Sequence, residues 1–214
     1  MFESLRSSKK PQPDNRAAEA RMRATQGSSS AELAASMLIA PTALMQLTLE
    51  EARVIVGFMT PRKIAAGTTF ITEGDRSDIG VMFLVLDGDV TVESLTVSRR
   101  EPRIVNVIGA GSLLGEMSLL DGGARLASCV AGTSLLCATL TRAALEKLTE
   151  QEPRTAAKLL LAISTRIAER LRDVTDKVRL YSDLVQVMQQ EIDLLMPTHD
   201  RHKDSPPRIA SSRS

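Results

Sequence analysis

Histidine and cysteine are scarce in this chain, and their scarcity excludes several kinds of site. The 214 residues include two histidines, His199 and His202, in a polar segment near the C-terminus. A histidine-held haem is therefore excluded from the sequence before them, and we expect both side chains to be solvated. The two cysteines, Cys129 and Cys137, cannot supply the four thiolates of a usual iron–sulfur cluster. We predict no metal and no other cofactor.

Long apolar runs and an excess charge of one sign are also missing. No stretch is long and apolar enough to span a bilayer, and the N-terminal segment lacks the apolar region of a signal peptide. The net charge of +1 gives no electrostatic reason to expect nucleic acid or an anionic membrane as partner. We therefore predict a cytoplasmic protein. In a reducing compartment Cys129 and Cys137 are expected to be small buried hydrophobic side chains, with a redox pair facing across a hairpin as the alternative.

The apolar content, 43%, is enough for one domain with extensions. Residues 1–30 and 196–214 are poor in large apolar side chains and are predicted to be disordered. Thr48 and Glu51 have the spacing of a capping box, which predicts a helix at about 49–59. From there to about residue 140, short apolar runs alternate with glycines. This pattern is typical of a small antiparallel β-sandwich or barrel.

One turn within this region has a strong local signal. The Asp87-Gly88 pair separates two apolar runs, Val81–Leu86 and Val90–Val97, and predicts a β-hairpin between them.

The last part of the chain is predicted to be helical. Thr141 caps a short helix, and Pro153 begins a second one that runs to about residue 195, because no Gly or Pro occurs before Pro197. Apolar residues then recur in alternating steps of three and four, as in the seam of a parallel two-stranded coiled coil. The seam residues are Leu171, Val174, Val178, Tyr181, Val185, Met188, Ile192 and Leu195. We predict a homodimer, with a helix that lies on its own domain as the alternative.

The segment 111–130, GSLLGEMSLLDGGARLASCV, has the features of an anion-binding site. An apolar run ends at Gly115, Glu116 begins a short helical turn, and a flexible loop leads to Arg125. Backbone N–H groups at a helix start lack intrahelical partners and favour an anion such as phosphate. Arg125 adds a charge-assisted bond to the same anion, while Glu116 suits a sugar hydroxyl. These groups together predict a ribose phosphate as ligand.

This segment resembles the phosphate-binding cassette of the cyclic-nucleotide-binding domain family, which includes catabolite activator proteins and the regulatory subunits of cyclic-AMP-dependent kinase. The pair Gly115-Glu116, Arg125 nine positions later, and Ala127-Ser128 match its pattern. The resemblance implies that Glu116 binds the ribose 2′-hydroxyl and Arg125 the cyclic phosphate. It also implies a jelly-roll fold.

The remaining cassette residues predicted to line the ligand are Met117, Ser118, Leu126 and Ala127. Two positions depart from the family pattern. Ala124 stands where the kinase type has proline, and Leu126 stands where the activator has a hydroxyl residue that reaches the phosphate. Because a hydroxyl there is associated with cyclic GMP, we predict cyclic AMP.

The resemblance extends into the long helix and covers about residues 48–195. Arg170 resembles the arginine that pairs with the cassette glutamate, and Thr175 resembles the hydroxyl residue that approaches the nucleotide of the partner chain. Val174 stands where the activator has a threonine that contacts adenine. Only a Pro- and Ser-rich tail follows in this sequence, so we expect no helix-turn-helix domain and no specific DNA binding.

These observations predict a mainly β protein of the α+β class, with a jelly roll or barrel flanked by helices and a long dimerisation helix. The predicted segments are 31–140 for the nucleotide-binding β-roll with its N-terminal helices and 141–195 for the helical part. The predicted function is a dimeric sensor of cyclic AMP that acts on an unidentified effector protein. The alternatives are a nucleotide-free dimerisation scaffold and a transcription regulator. No enzyme is predicted, because nothing near Glu116 and Arg125 offers a nucleophile with its base.

Overall fold

The computed structural model describes residues 29–77, 80–95 and 102–195. It divides into two compact units, the first ending at Ala168 and the second beginning at Glu169. Most residues of the predicted disordered ends, together with His199 and His202, lie outside the described residues. The predicted division into residues 31–140 and 141–195 stays a prediction.

In the described part of the chain, the helices α1 (Ser29–Leu38) and α2 (Leu49–Val56) precede the strands. The predicted capping box at the start of α2 is confirmed: the Glu51 N–H donates to the Thr48 hydroxyl (3.3 Å), and the Thr48 N–H donates to the Glu51 carboxylate (2.9 Å). The helix turns its apolar side chains Ala52, Ile55 and Val56 into the protein interior. An ion pair between Arg53 and Glu32 (2.5 Å) joins α2 to α1.

The strands that the structure describes form two antiparallel four-stranded sheets. In chain order they are β1 (Thr60–Ile64), β2 (Thr69–Ile71), β3 (Val81–Asp87), β4 (Val90–Leu95), β5 (Pro102–Ile108), β6 (Leu113–Leu114), β7 (Ser128–Ala131) and β8 (Leu135–Thr141). One sheet has the order β1-β8-β3-β6 and the other the order β2-β7-β4-β5. The predicted α+β jelly-roll fold is confirmed, although the sheets do not close into a barrel.

The predicted hairpin at Asp87-Gly88 is wrong. β3 pairs with β8 and β6, whereas β4 pairs with β5 and β7, so the chain crosses here from one sheet to the other. The crossing is held by contacts with a distant segment: the Asp89 N–H donates to the Thr133 hydroxyl (2.9 Å), and the Gly132 N–H donates to the Asp89 carbonyl (2.8 Å). Gly88 has φ +91°, and a Cβ there would lie 2.6 Å from the Ser134 carbonyl oxygen. These long-range contacts override the local turn preference.

The second crossing, at residues 132–134, corrects the expectation of a hairpin between the two cysteine strands. Cys129 lies in β7 and Cys137 in β8, which belong to different sheets. Both cysteines are buried, as expected of small hydrophobic side chains. Burial raises the pKa of Cys137 to about 11, so its thiol stays protonated at neutral pH.

Two apolar clusters account for the long apolar run of β3. Met82, Leu84 and Leu86 pack against the helices, while Phe83 and Val85 point into the cluster between the sheets. A strand buried on both faces has no need of polar residues at alternate positions. The β3 strand is therefore the centre of the core, and its first residues lie beside the candidate site.

In the described residues, the short helix α3 (Glu116–Asp121) lies between β6 and β7, and the helices α4 (Arg142–Gln151) and α5 (Pro153–Leu195) follow the strands. The predicted cap is present, because the Thr141 hydroxyl accepts a bond from the Ala144 N–H (3.2 Å). In its first turns α5 buries Ala156, Leu159, Ala162 and Ile163 in the helical cluster. Lys158 forms an ion pair with Glu51 at the capping box of α2.

The second unit contains the remainder of α5 from Glu169, and the side chains of α5 from Arg170 to Leu195 are exposed. The eight predicted seam residues, from Leu171 to Leu195, are between 49% and 81% exposed. Within the described residues, no helix combines the length and the apolar character needed to cross a membrane.

Candidate functional site

The candidate site is built where β6 meets the first residues of β3. Leu114 of β6 pairs with Phe83 of β3, which brings Gly115 close to Val81. Gly115 has φ +75°, a left-handed conformation that suits glycine, and it caps the helix α3 (Glu116–Asp121). Within α3, Glu116, Ser118 and Leu119 are buried. The predicted Gly-Glu pair and helical turn are therefore present.

Arg125 lies directly over Gly115. Its side chain is 5% exposed, and its Nη1 donates to the carbonyl oxygens of Val81 (3.0 Å) and Gly115 (3.3 Å). A Cβ at position 115 would stand 2.3 Å from that Nη1 and 2.7 Å from the Val81 carbonyl oxygen. Glycine is therefore required at this position for steric reasons as well as for its backbone angle.

The backbone of Arg125 is fixed by the loop that follows β2. The Gly74 N–H donates to the Arg125 carbonyl (2.8 Å), and the Arg125 N–H donates to the Asp75 carbonyl (3.1 Å). Hydrogen bonds from the Ser77 backbone and hydroxyl lower the pKa of Asp75, and the charge of Arg125 contributes further. The loop thus fixes the backbone of Arg125 and places the Asp75 carboxylate where the charge of Arg125 acts on it.

A buried carboxyl side chain, that of Glu116, and a buried guanidinium, that of Arg125, therefore belong to residues next to Gly115 in sequence or in space. Glu116 is 2% exposed and Arg125 is 5% exposed, although charged side chains are rarely so buried unless they are paired or bind a ligand. This arrangement supplies a carboxylate acceptor, a guanidinium donor and helix-start N–H groups around one position.

The other predicted cassette residues differ in their access to solvent. Leu126 is 67% exposed and Met117 is 37% exposed, whereas Ser118 is buried and Ala127 is half-buried. Ser128 has a structural contact, because its hydroxyl accepts a bond from the Glu73 N–H (3.0 Å).

Three predicted site residues, Arg170, Val174 and Thr175, belong to the second unit. All three are exposed along α5, and the Thr175 hydroxyl donates to the Leu171 carbonyl of its own helix (2.8 Å). Their part in ligand binding stays a prediction.

Sequence reasoning missed two groups that hold the cassette. One is the Val81 carbonyl, which accepts the bond from Arg125 and carries no sequence signal. The other is Arg142, the first residue of α4, whose Nη2 donates to the carbonyls of Leu119 (3.1 Å) and Leu120 (2.8 Å). The Thr141 cap fixed the start of α4, but nothing in the spacing connected that start with α3.

Among the described residues, no group of three or more His, Cys, Asp or Glu side chains could hold a metal ion.

Comparisons with known proteins point to the same segment. Residues 61–152 match the family model described as "Cyclic nucleotide-binding domain". A curated relative from Mycobacterium tuberculosis, described as a CRP-like cAMP-activated global transcriptional regulator, is 24% identical over 172 residues. That match spans 76% of this chain and 72% of the relative.

Two solved structures have the same fold. The cyclic nucleotide-binding domain from Methylobacillus flagellatus is 27% identical, with a TM-score of 0.59 over 70% of this chain and 83% of that one. The Thermus thermophilus catabolite activator protein is 28% identical, with a TM-score of 0.56 over 68% of this chain and 63% of that one. The chain is thus similar to nucleotide-binding domains found in otherwise different proteins.

Proposed function

We propose that this chain senses a cyclic nucleotide, on the premise that its residues 61–152 belong to the cyclic nucleotide-binding domain family, of the catabolite activator type. The observation that carries the proposal is the placement of buried Arg125 over Gly115, next to buried Glu116. A family fold alone does not establish binding, whereas this pair of side chains provides the chemistry that a ribose phosphate requires.

The cyclic phosphate binds to Arg125 and to the N–H groups that follow Gly115. The two carbonyl bonds of Nη1 fix the guanidinium plane, and a guanidinium has five N–H donors in a rigid fork suited to phosphate. A bond between this cation and an anion in a water-poor site is stronger than one between neutral groups. Glu116 accepts a bond from the ribose hydroxyl, because an ionised carboxylate repels the phosphate but binds a donor.

The base is adenine in this proposal. Leu126 has no hydroxyl to offer, and its side chain is 67% exposed. The contributions of Arg170, Val174 and Thr175 to base recognition rest on the family resemblance.

We further propose that a second copy of the chain covers the exposed seam of α5. The seam alternates steps of three and four, and mostly β-branched residues occupy its a positions, Leu171, Val178, Val185 and Ile192. Such positions favour parallel two-stranded pairing. Side chains of this size in one exposed stripe are stabilised when a partner helix removes them from water.

Nucleotide binding changes output only if the ligand binds one conformation more tightly than another. We propose that the dimer passes this change to an effector protein and that the sensor is not an enzyme. The cytoplasmic location stays a prediction.

Transcriptional regulation is a second candidate, favoured by the description of the mycobacterial relative. Footprinting of the purified chain on genomic fragments separates the two candidates. A footprint at one sequence that persists as salt is raised supports the transcription regulator. Weak DNA binding without a defined footprint, which fades steeply with salt, supports output through a protein.

Calorimetric titration of the purified chain with cyclic AMP, cyclic GMP and cyclic di-GMP tests the proposed ligand. We expect saturable binding of cyclic AMP, weaker binding of cyclic GMP, and none of cyclic di-GMP. Absence of binding by all three would contradict the proposal and favour the nucleotide-free scaffold.

A further inference from the structure

Arg142 joins three segments around the cassette. Its guanidinium donates to the carbonyls of Leu119 and Leu120 in the last turn of α3, and its backbone N–H donates to the Gly80 carbonyl (2.7 Å). One residue at the start of α4 therefore contacts both the end of α3 and the residue that precedes β3.

The helix α3 depends on such external contacts. It has six residues, and a helix this short is unstable by itself. Its last carbonyls lack intrahelical partners, and the Gly122 N–H satisfies only that of Ser118 (3.1 Å). Arg142 satisfies the next two and places a cation at the negative end of the helix dipole. No side chain caps the other end, at Gly115.

Arg142 also contacts the backbone segment that binds the Arg125 guanidinium. Gly80, which accepts the Arg142 N–H, is followed by Val81, which accepts the Arg125 guanidinium. Val81 faces Thr141 in the β3–β8 register, and a Cβ at Gly80 would lie 3.2 Å from the Arg142 Cβ. Arg142 and Arg125 thus bind neighbouring carbonyls at the start of one strand.

We infer that Arg142 is a positioning residue for the nucleotide site: it holds α3, and with it Gly115 and Glu116, in the binding conformation. This inference rests on the proposed function. Arg142 binds the end of α3 opposite Gly115, about 9 Å away for a helix of this length, so it acts without touching the phosphate. When α3 leaves this position part of the time, the apparent dissociation constant rises in inverse proportion to the competent fraction.

Cyclic AMP titration of the full chain compares the wild type with Arg142→Ala, Arg142→Lys and a matched control, Arg154→Ala, which removes an exposed arginine at the start of α5. Arg142 is also exposed, so its truncation opens no buried cavity and the variant is expected to fold. We expect roughly tenfold weaker binding by Arg142→Ala, a smaller loss for Arg142→Lys, which keeps the charge but not the fork, and wild-type affinity for the control.

Hydrogen exchange on the ligand-free proteins supplies a readout that global stability does not explain. The Leu119 N–H, bonded to the Gly115 carbonyl (3.2 Å), and the Gly122 N–H should exchange faster in Arg142→Ala, while amides of β8 keep their wild-type rates. Equal acceleration in both regions would show a general loss of stability and overturn the inference.

The outcomes separate this inference from the proposed function. Wild-type binding with unchanged affinity in Arg142→Ala overturns the role of Arg142 and leaves the function intact. A wild type that binds no cyclic nucleotide removes the function, and the α3 exchange rates still decide whether Arg142 holds that helix. If Arg142→Ala does not fold, Arg142→Lys decides in its place: wild-type affinity and exchange in that folded variant overturn the inference.

Discussion

Replacing Gly115 by alanine should destabilise the protein strongly, for two separable reasons. A left-handed backbone costs an L residue about 1–2 kcal/mol, and Gly115 has φ +75°. The new Cβ would also stand 2.7 Å from the Val81 backbone oxygen and 2.3 Å from the Arg125 Nη1. Arg125 must then move away from its carbonyl partners, at a further cost of about 2–3 kcal/mol for a charge-assisted bond. The expected loss is roughly 3–5 kcal/mol, a large part of the ~5–15 kcal/mol by which most domains are stable.

Gly122 provides the matched control, because it has a similar φ of +68° but no atom within 4 Å of a built Cβ. Gly122→Ala should therefore lose only the backbone term, about 1–2 kcal/mol. Urea denaturation of the wild type and both variants gives the free energy of unfolding of each protein, and hence the two losses. Equal losses for Gly115→Ala and Gly122→Ala would refute the proposed contact between Arg125 and position 115.

Three further predictions concern other parts of the chain. Replacing both Val178 and Val185 with lysine places like charges at the proposed seam and should convert the dimer to a monomer in sedimentation analysis; a wild type that is already monomeric would contradict the seam. Cys129 and Cys137 should resist a thiol reagent at pH 8 until the protein is unfolded, because both are buried and burial raises the pKa of Cys137 to about 11; rapid labelling of the native protein would count against this packing. The hydrogen bond from Lys158 lowers the pKa of Glu51 from its ordinary value of 4.5, so the contribution of Glu51 to stability is present above pH 4.5 and is lost as the pH falls further. A Glu51→Gln variant should show a smaller acid-induced loss of stability in denaturant titrations, and an acid profile unchanged from the wild type would refute this role.

Features set by neighbouring residues were predictable from the sequence. The caps at Thr48 and Thr141 are formed by side chains that bond to N–H groups three residues away, so their spacing is visible in the sequence. The uninterrupted helix from Pro153 follows from the absence of Gly and Pro within it. The spatial proximity of Gly115, Glu116 and Arg125 was predictable because the three residues lie within one short segment of the sequence.

Features set by distant segments were not predictable in this way. The Asp87-Gly88 signal is local, whereas β3 pairs with β6 and with the much later strand β8, and only tertiary packing selects these partners. The same reason explains why the role of Arg142 was missed. Its bonds to Leu119 and Leu120 join residues more than twenty positions apart, and backbone carbonyls leave no mark on the sequence.

The central claim is that Arg125 binds the phosphate of a cyclic nucleotide. Calorimetric titration of the wild type and Arg125→Ala with cyclic AMP tests it most directly, with Arg154→Ala as a charge-matched control and thermal melts to confirm that each variant is folded. Loss of a charge-assisted contact of about 2–3 kcal/mol predicts roughly 30- to 150-fold weaker binding by Arg125→Ala and no change in the control. A folded Arg125→Ala variant that binds cyclic AMP as tightly as the wild type would contradict the account.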